Sequence, residues 1–171
     1  MSAMVIYFSR PGFNYVSGEI KWLDKGNTEK AAEMIAQLTG ASLFKVEPLS
    51  PYSEDYSKCI EQAKDDQRRG ARPEIAAYPK GLESCDTIYL GYPNYWGTMP
   101  MQLFTLLEKC ELSGKTIYPF CTHEGSGMGA SESDIKRLCP NSTVKKGLAI
   151  HGARVDLSKS DIENWLRGEV K

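Results

Sequence analysis

The chain is predicted to fold as a three-layer α/β domain, a five-stranded parallel sheet with helices on both faces. Three observations carry the prediction. Short apolar β-former runs alternate with helical patterns about five times, and parallel strands need a crossover that is usually a helix. The opening run Val5–Phe8 is apolar on successive residues, which suits a strand covered on both faces. No internal repeat, low-complexity tract or linker divides the 171 residues, a length that suits one domain, 1–171, with a full core.

Val5–Phe8 is the first apolar run. A helix is expected to start near Gly26–Asn27–Thr28, with Ala31, Ile35 and Leu38 on one face and Gly40 as its stop. The intervening segment Pro11–Lys25 reads as a long loop, and loops of that length are usually functional or disordered. Ser42–Val46 is a second, less apolar strand, followed by the turn-rich Pro48–Leu49–Ser50–Pro51. Tyr56–Gly70 is polar, with only Cys59, Ile60 and Ala63 on a weak stripe, and reads as an exposed helix. Thr87–Leu90 is the third strand, ending at Gly91–Tyr92–Pro93. Met99, Leu103, Leu106, Leu107 and Cys110 mark an amphipathic helix with Pro100 in its first turn and a stop at Ser113–Gly114.

Thr116–Cys121 is the fourth strand, and the glycine-rich Gly125–Gly129 follows it. Ser131 with Asp134 three residues on marks a short helix bounded by Pro140. Val144–Ile150 contains the fifth strand. The last helix is expected to carry Ser158 as cap, Asp161 in its first turn, and Leu157 with Ile162 as a hydrophobic staple.

Composition narrows the function classes. The chain is 41% apolar and 25% charged with a formal net charge of −1. No basic field draws it to nucleic acid or to an anionic membrane. The apolar run in MSAMVIYFSR is too short for a transmembrane helix and has no basic segment before it, so a cytoplasmic location is expected. The cysteines Cys59, Cys85, Cys110, Cys121 and Cys139 are widely spaced, with no CxxC pair and no metal-ligand cluster. Reduced thiols in a reducing compartment are the expectation.

In an open α/β sheet, ligands bind beyond the carboxyl ends of the strands, and the loops after the first, third and fourth strands are all unusual. The first strand runs into Ser9–Arg10, and the next helix starts at Gly26–Asn27–Thr28. Small hydroxyl and amide side chains beside free helix N–H groups suit a phosphate, although Asn and Thr are favoured at helix starts whether or not anything binds. The third strand is followed by Gly91–Tyr92–Pro93–Asn94–Tyr95–Trp96–Gly97–Thr98. Its aromatics either stack on a flat ligand or fold back on the core. The fourth leads into Thr122–His123–Glu124–Gly125–Ser126–Gly127, whose glycines let backbone N–H groups approach a ligand edge. Taken alone, that loop is equally a solvated flexible one.

The combination SR…GNTEKAAEMIA, GYPNYWGTMP and PFCTHEGSGMG resembles the flavodoxin family, over Met4 to about Ile150. The resemblance implies a flavodoxin-like fold binding FMN noncovalently. Ser9, Arg10, Asn27 and Thr28 would hold its 5′-phosphate. Pro93, Asn94, Tyr95, Trp96 and Gly97 would flank one face of the isoalloxazine, with an aromatic stacked on it. Thr122, His123, Glu124, Gly125, Ser126 and Gly127 would line the pyrimidine edge. Two departures stand out. Pro11–Lys25 interrupts a phosphate loop that is contiguous in typical members, which adds Asn14 and Tyr15 to the candidate contacts. The last loop lacks the tyrosine that often covers the outer flavin face, leaving that face open to a substrate or partner. His151 is given no role.

The resemblance implies intracellular electron transfer, with redox partner proteins or a small-molecule electron acceptor. Reduction of a quinone-type acceptor by NAD(P)H is the alternative. The near-neutral charge weakens the carrier reading, and the lack of a second nucleotide-binding segment weakens the enzyme reading. A phosphorelay receiver would need an acidic cluster where this chain has Phe8–Ser9–Arg10, and that reading fails.

Overall fold

β1 (Ser2–Tyr7) is an inner strand of the sheet, and its side chains go to the two faces in turn. Met4 and Ile6 join one buried cluster, while Val5 and Tyr7 join the other. The coordinates are a computed structural model that describes residues 2–168, so the ends of the 1–171 span lie outside the described residues. The main sheet runs β4 (Ser42–Lys45), β1, β5 (Cys85–Pro93) and β6 (Thr116–His123), then β7 (Thr143–Val144) and β8 (Leu148–His151) beside β6. Every pairing in it is parallel.

The sheet therefore has the five strand positions expected, the last filled by two short strands. Pro119 explains the split. β6 pairs Ile117 with Val144 and then Phe120 with Leu148, so the register slips between them. Lys145 N–H donates to Ile117 O, and the next bond of a parallel ladder would run from residue 119 back to Lys145 O. A proline has no N–H to give. The backbone bulges instead, and Gly147 N–H donates to Glu132 Oε2 at 2.8 Å.

Helices cover both faces. α1 (Asn27–Thr39) and α5 (Lys159–Leu166) bury Ala31, Ala32, Ile35, Ile162 and Trp165 against Val5, Tyr7 and Phe120. α3 (Met101–Lys109) and α4 (Ser131–Leu138) bury Leu103, Leu106 and Ile135 against Ile6, Ile88 and Leu90. Trp165 anchors α5, its ring buried and its Nε1–H donating to Lys146 O at 2.9 Å. Full burial of such a side chain contributes about 2–3 kcal/mol. Gly40 closes α1 in the left-handed conformation with φ 76°, as its position predicts. α2 (Tyr56–Arg68) is capped by Asp55, whose side chain accepts from Lys58 N–H at 2.9 Å.

Some expectations are corrected. Pro11–Lys25 is not an open loop: β2 (Gly12–Val16) and β3 (Glu19–Leu23) form an antiparallel hairpin. Its turn residues Ser17 and Gly18 have φ 52° and 83°, the left-handed pair that matches the twist of a tight hairpin. Leu38 is exposed rather than in the core. Ser158 precedes α5 but makes no capping bond, because its buried hydroxyl donates to Val155 O. Leu157 is 75% exposed and staples nothing. Pro100 sits one residue before α3, which ends at Lys109, short of Ser113. No described helix is long and apolar enough to cross a membrane.

Candidate functional site

Because β1, β5 and β6 are parallel, their following loops emerge at one end of the sheet, where they enclose a cleft of about 550 Å³. At one end of the cleft, the start of α1 lies against the end of β1. Gly26 makes this approach possible: a Cβ there would stand 2.2 Å from Ser9 Oγ and 2.8 Å from Arg10 O. Ser9 Oγ accepts from Glu29 N–H at 3.1 Å, and Gly26 itself offers no capping side chain. The N–H groups of Asn27 and Thr28 have no partner within the helix. Thr28 Oγ1 lies 2.7 Å from Thr122 Oγ1, tying this helix start to the end of β6. Ser9, Asn27, Thr28 and Thr122 all line the cleft.

Arg10 lines it too, but its guanidinium is largely engaged by main-chain carbonyls. One terminal nitrogen donates to Ser53 O and Glu54 O at 2.9 and 3.0 Å, and the other donates to Phe13 O. Arg10 therefore clamps the root of the β2–β3 hairpin to the segment before α2.

The loops after β5 and β6 form one unit. Asn94 donates through Nδ2 to Gly127 O at 2.9 Å and accepts at Oδ1 from Gly97 N–H at 2.9 Å. Ala130 N–H donates to Gly97 O at 2.7 Å. A Cβ on Gly129 would lie 2.2 Å from Gly97 O, so the two loops touch backbone to backbone. Tyr95 and Thr98 exchange main-chain bonds across a turn whose centre is Trp96 and Gly97, with φ 54° and 87°. Positive φ in a bulky residue is strained and concentrates at functional sites. Trp96 is 47% exposed, and its Nε1–H is tied to Ile60 O on α2 at 2.8 Å. Lys64 Nζ lies 4.9 Å from its ring centroid.

Glu124 links the cleft to the hairpin and to the end of β8. Its Oε2 accepts from Ser17 N–H at 3.4 Å, at the tip of the hairpin, and lies 3.7 Å from His151 Nε2. Its Oε1 is buried without a protein partner, as is His151 Nδ1. His123 Nδ1 accepts from Gly125 N–H at 2.9 Å, and its ring meets that of His151 edge-on at 5.5 Å. Burial and the neighbouring His151 hold the His123 pKa below the ordinary imidazole value, against the opposing pull of Glu124. His123 is a neutral acceptor at physiological pH.

The structure brings the residues singled out in the sequence into this one cleft, apart from Gly125 and Gly127, which do not line it. Asn14 and Tyr15 line it as well. Sequence reasoning missed Tyr56, Cys59, Ile60 and Ala63 of α2, and Gly152 after β8. The stripe Cys59–Ile60–Ala63 was visible, but nothing local says that it faces a cleft rather than the core. Tyr56 stacks on Tyr15 across the mouth, with centroids 6.3 Å apart and planes at 22°. Burial pushes the Cys59 thiol up, so it is no thiolate. All five cysteines are free, and among the described residues no cluster could hold a metal ion.

A model of the flavodoxin family matches residues 4–169. The chain belongs to the flavodoxin family. Among solved structures, it is similar to a candidate flavoprotein of Bacteroides eggerthii, with 26% identity, 99% of each chain covered and a TM-score of 0.77. It is also similar to a Lactobacillus acidophilus flavoprotein solved with FMN (22% identity, 91% of this chain and 97% of that one, TM-score 0.67). Oxidised flavodoxin 2 of Bacillus cereus shares the fold at 17% identity, covering 98% and 99% with a TM-score of 0.53. No curated protein matches.

Proposed function

We propose that this flavodoxin-family chain holds FMN noncovalently in the cleft and moves electrons through it. The observation that carries the reading is the convergence of three loops with different chemistry on one cavity. The start of α1, where Gly26 offers no capping side chain, lies at one end, the paired aromatic and glycine-rich loops at the other. The cavity has the size usual for cofactor sites. The orphaned Glu124 Oε1 fits the ligand's hydroxyl groups, since a buried acceptor without a donor costs stability until one arrives.

In this reading Ser9, Asn27 and Thr28 hold the phosphate, with the helix dipole behind them. Arg10 adds positive charge while its bonds keep the hairpin in place. Trp96, fixed by Ile60 O and Gln67, offers the isoalloxazine a flat surface. The loop after β6 supplies backbone donors to the pyrimidine edge. When bound, FMN supplies the redox chemistry, and the protein orients it and limits its contact with water.

Electron carriage is favoured over substrate chemistry because the cleft holds no ionised thiol or phenol: burial pushes the Cys59 thiol and the Tyr95 phenol up. Redox proteins or a small acceptor inside the cell are the partners this reading implies. A second reading, NAD(P)H-dependent reduction of a quinone, is favoured by the Tyr15–Tyr56 pair, which offers another planar ligand a wall.

Anaerobic reductive titration of FMN-loaded protein, followed by visible absorbance, decides between them. A long-wavelength band that rises and then falls supports the carrier. Direct bleaching supports two-electron chemistry and calls for quinones with NADH and NADPH. Failure to load FMN overturns both readings.

A further inference from the structure

The β2–β3 hairpin carries an apolar face that the rest of the described chain touches only at Tyr15, through its stacking on Tyr56. Alternate residues of paired strands share a face, so the registers Phe13↔Trp22 and Tyr15↔Ile20 set four large apolar side chains side by side. Phe13 is 42% exposed, Tyr15 44%, Ile20 53% and Trp22 54%. The other exposed large hydrophobics, among them Leu43, Leu49 and Leu157, are scattered over separate elements.

A two-stranded hairpin is marginal in water unless a further strand or element packs on its apolar face. This one is held at its root by Arg10, at its tip by Glu124, and at its flank by Tyr56. Its charged residues do not disturb the apolar face. Glu19 pairs with Val16 and Lys21 with Asn14, both on the opposite side. An uncharged face gives nothing for a steered, charged redox partner to grip. Two copies of such a face can meet about a twofold axis without setting like charges against each other, which suits an isologous contact. The four side chains expose on the order of 400 Å². Two such faces bury on the order of 800 Å², short of the roughly 1,200 Å² where stable specific interfaces begin, so the contact they make is weak.

We propose that the hairpin is a dimerisation element, two copies meeting through their Phe13–Tyr15–Ile20–Trp22 faces about a twofold axis. The contact is concentration-dependent rather than permanent. Asn14 and Tyr15 also line the cleft, so dimerisation orders one wall of the ligand site. That coupling, unlike the interface itself, rests on the FMN reading. By linkage, FMN tightens the dimer by the same factor as the dimer tightens FMN.

Sedimentation velocity on the full chain tests this, from about 1 μM to about 1 mM, a range that brackets contacts worth about 8 to 4 kcal/mol. The expected result is a shift from monomer to dimer within that range. Ile20→Ser with Trp22→Ser, neither in the cleft, moves the midpoint up by at least about tenfold with unchanged circular dichroism. Ile20→Lys sets two like charges across the axis, and salt restores part of its dimer. A wild-type chain that stays monomeric throughout overturns the proposal, as does a dimer that the three substitutions leave untouched. Equal dimer affinity with and without FMN removes the coupling alone. Failure to load FMN while the dimer persists overturns the cofactor reading and leaves the interface standing.

Discussion

Thr28 Oγ1 and Thr122 Oγ1 are hydrogen-bonded to each other across 2.7 Å, and both residues are nearly inaccessible to water, with 2% and 4% of their surface exposed. The bond joins the first turn of α1 to the last turn of the β6 ladder. It fixes the distance between the α1 end of the cleft and the loop that follows β6. Thr122→Val keeps the shape but leaves the Thr28 hydroxyl buried without a partner. The expected loss is about 1–3 kcal/mol, read by urea denaturation, with weaker FMN binding. A neutral substitution would show that water replaces the lost partner.

Trp96 combines a left-handed backbone with an indole exposed at the cleft mouth. Trp96→Ala removes the flat surface and the bond to Ile60 O. FMN affinity is expected to fall about three- to tenfold, the equivalent of about 0.5–1.5 kcal/mol of stacking, by flavin fluorescence titration. Unchanged affinity would take Trp96 out of the site.

Gly91 lies in β5 directly over the Phe120 ring, where an added Cβ would fall 2.1 Å from the ring tip. Phe120 is fully buried and cannot retreat. Gly91→Ala should cost about 1–3 kcal/mol through overpacking. For a chain of this size that lowers Tm by roughly 2–12 °C. A melting temperature equal to wild type would show that the sheet relaxes around the methyl group.

The lowered pKa of His123 sets a direction for acid sensitivity. The unfolded imidazole takes up its proton near pH 6.5, the folded one only at lower pH. Unfolded chains therefore bind more protons in the window between the two values, and stability falls as pH drops through it. Protonation at Nδ1 also removes the acceptor for Gly125 N–H. His123→Asn should flatten this part of the stability profile, and an NMR titration should place the His123 midpoint below 6.5. A midpoint above it would contradict the burial argument.

The order of the elements was legible because each apolar run is long enough to be a buried strand and each helix has its own stop or stripe. The loops after β1, β5 and β6 were legible for the same reason, since a parallel sheet sends them all to one end. The hairpin was legible in principle: Phe13, Tyr15, Ile20 and Trp22 alternate about Ser17–Gly18. They were passed over because alternation over so short a run competes with a plain loop. The break in the last strand position was not read, because nothing local to Pro119 says which strand its missing donor faces. The contribution of α2 was not legible. Cys59 and Ala63 are buried in part by residues far away in sequence, and a stripe does not name its target. Nor could the sequence say that Arg10 spends its hydrogen bonds on carbonyls, because Ser53 and Glu54 are brought to it only by the fold.

The break opposite Pro119 has a further consequence. It lies at the outer edge of the sheet, where unpaired N–H and C=O groups are a template for strands of other molecules. That edge presents a two-residue strand and a four-residue strand, with Lys145 and Lys146 in the gap between them. An incoming strand meets no continuous ladder to extend and two charges to desolvate. The missing donor of a single proline thus protects the sheet against fibril-like association, and Pro119→Val, by restoring the ladder, would make the chain more prone to aggregate as well as more regular.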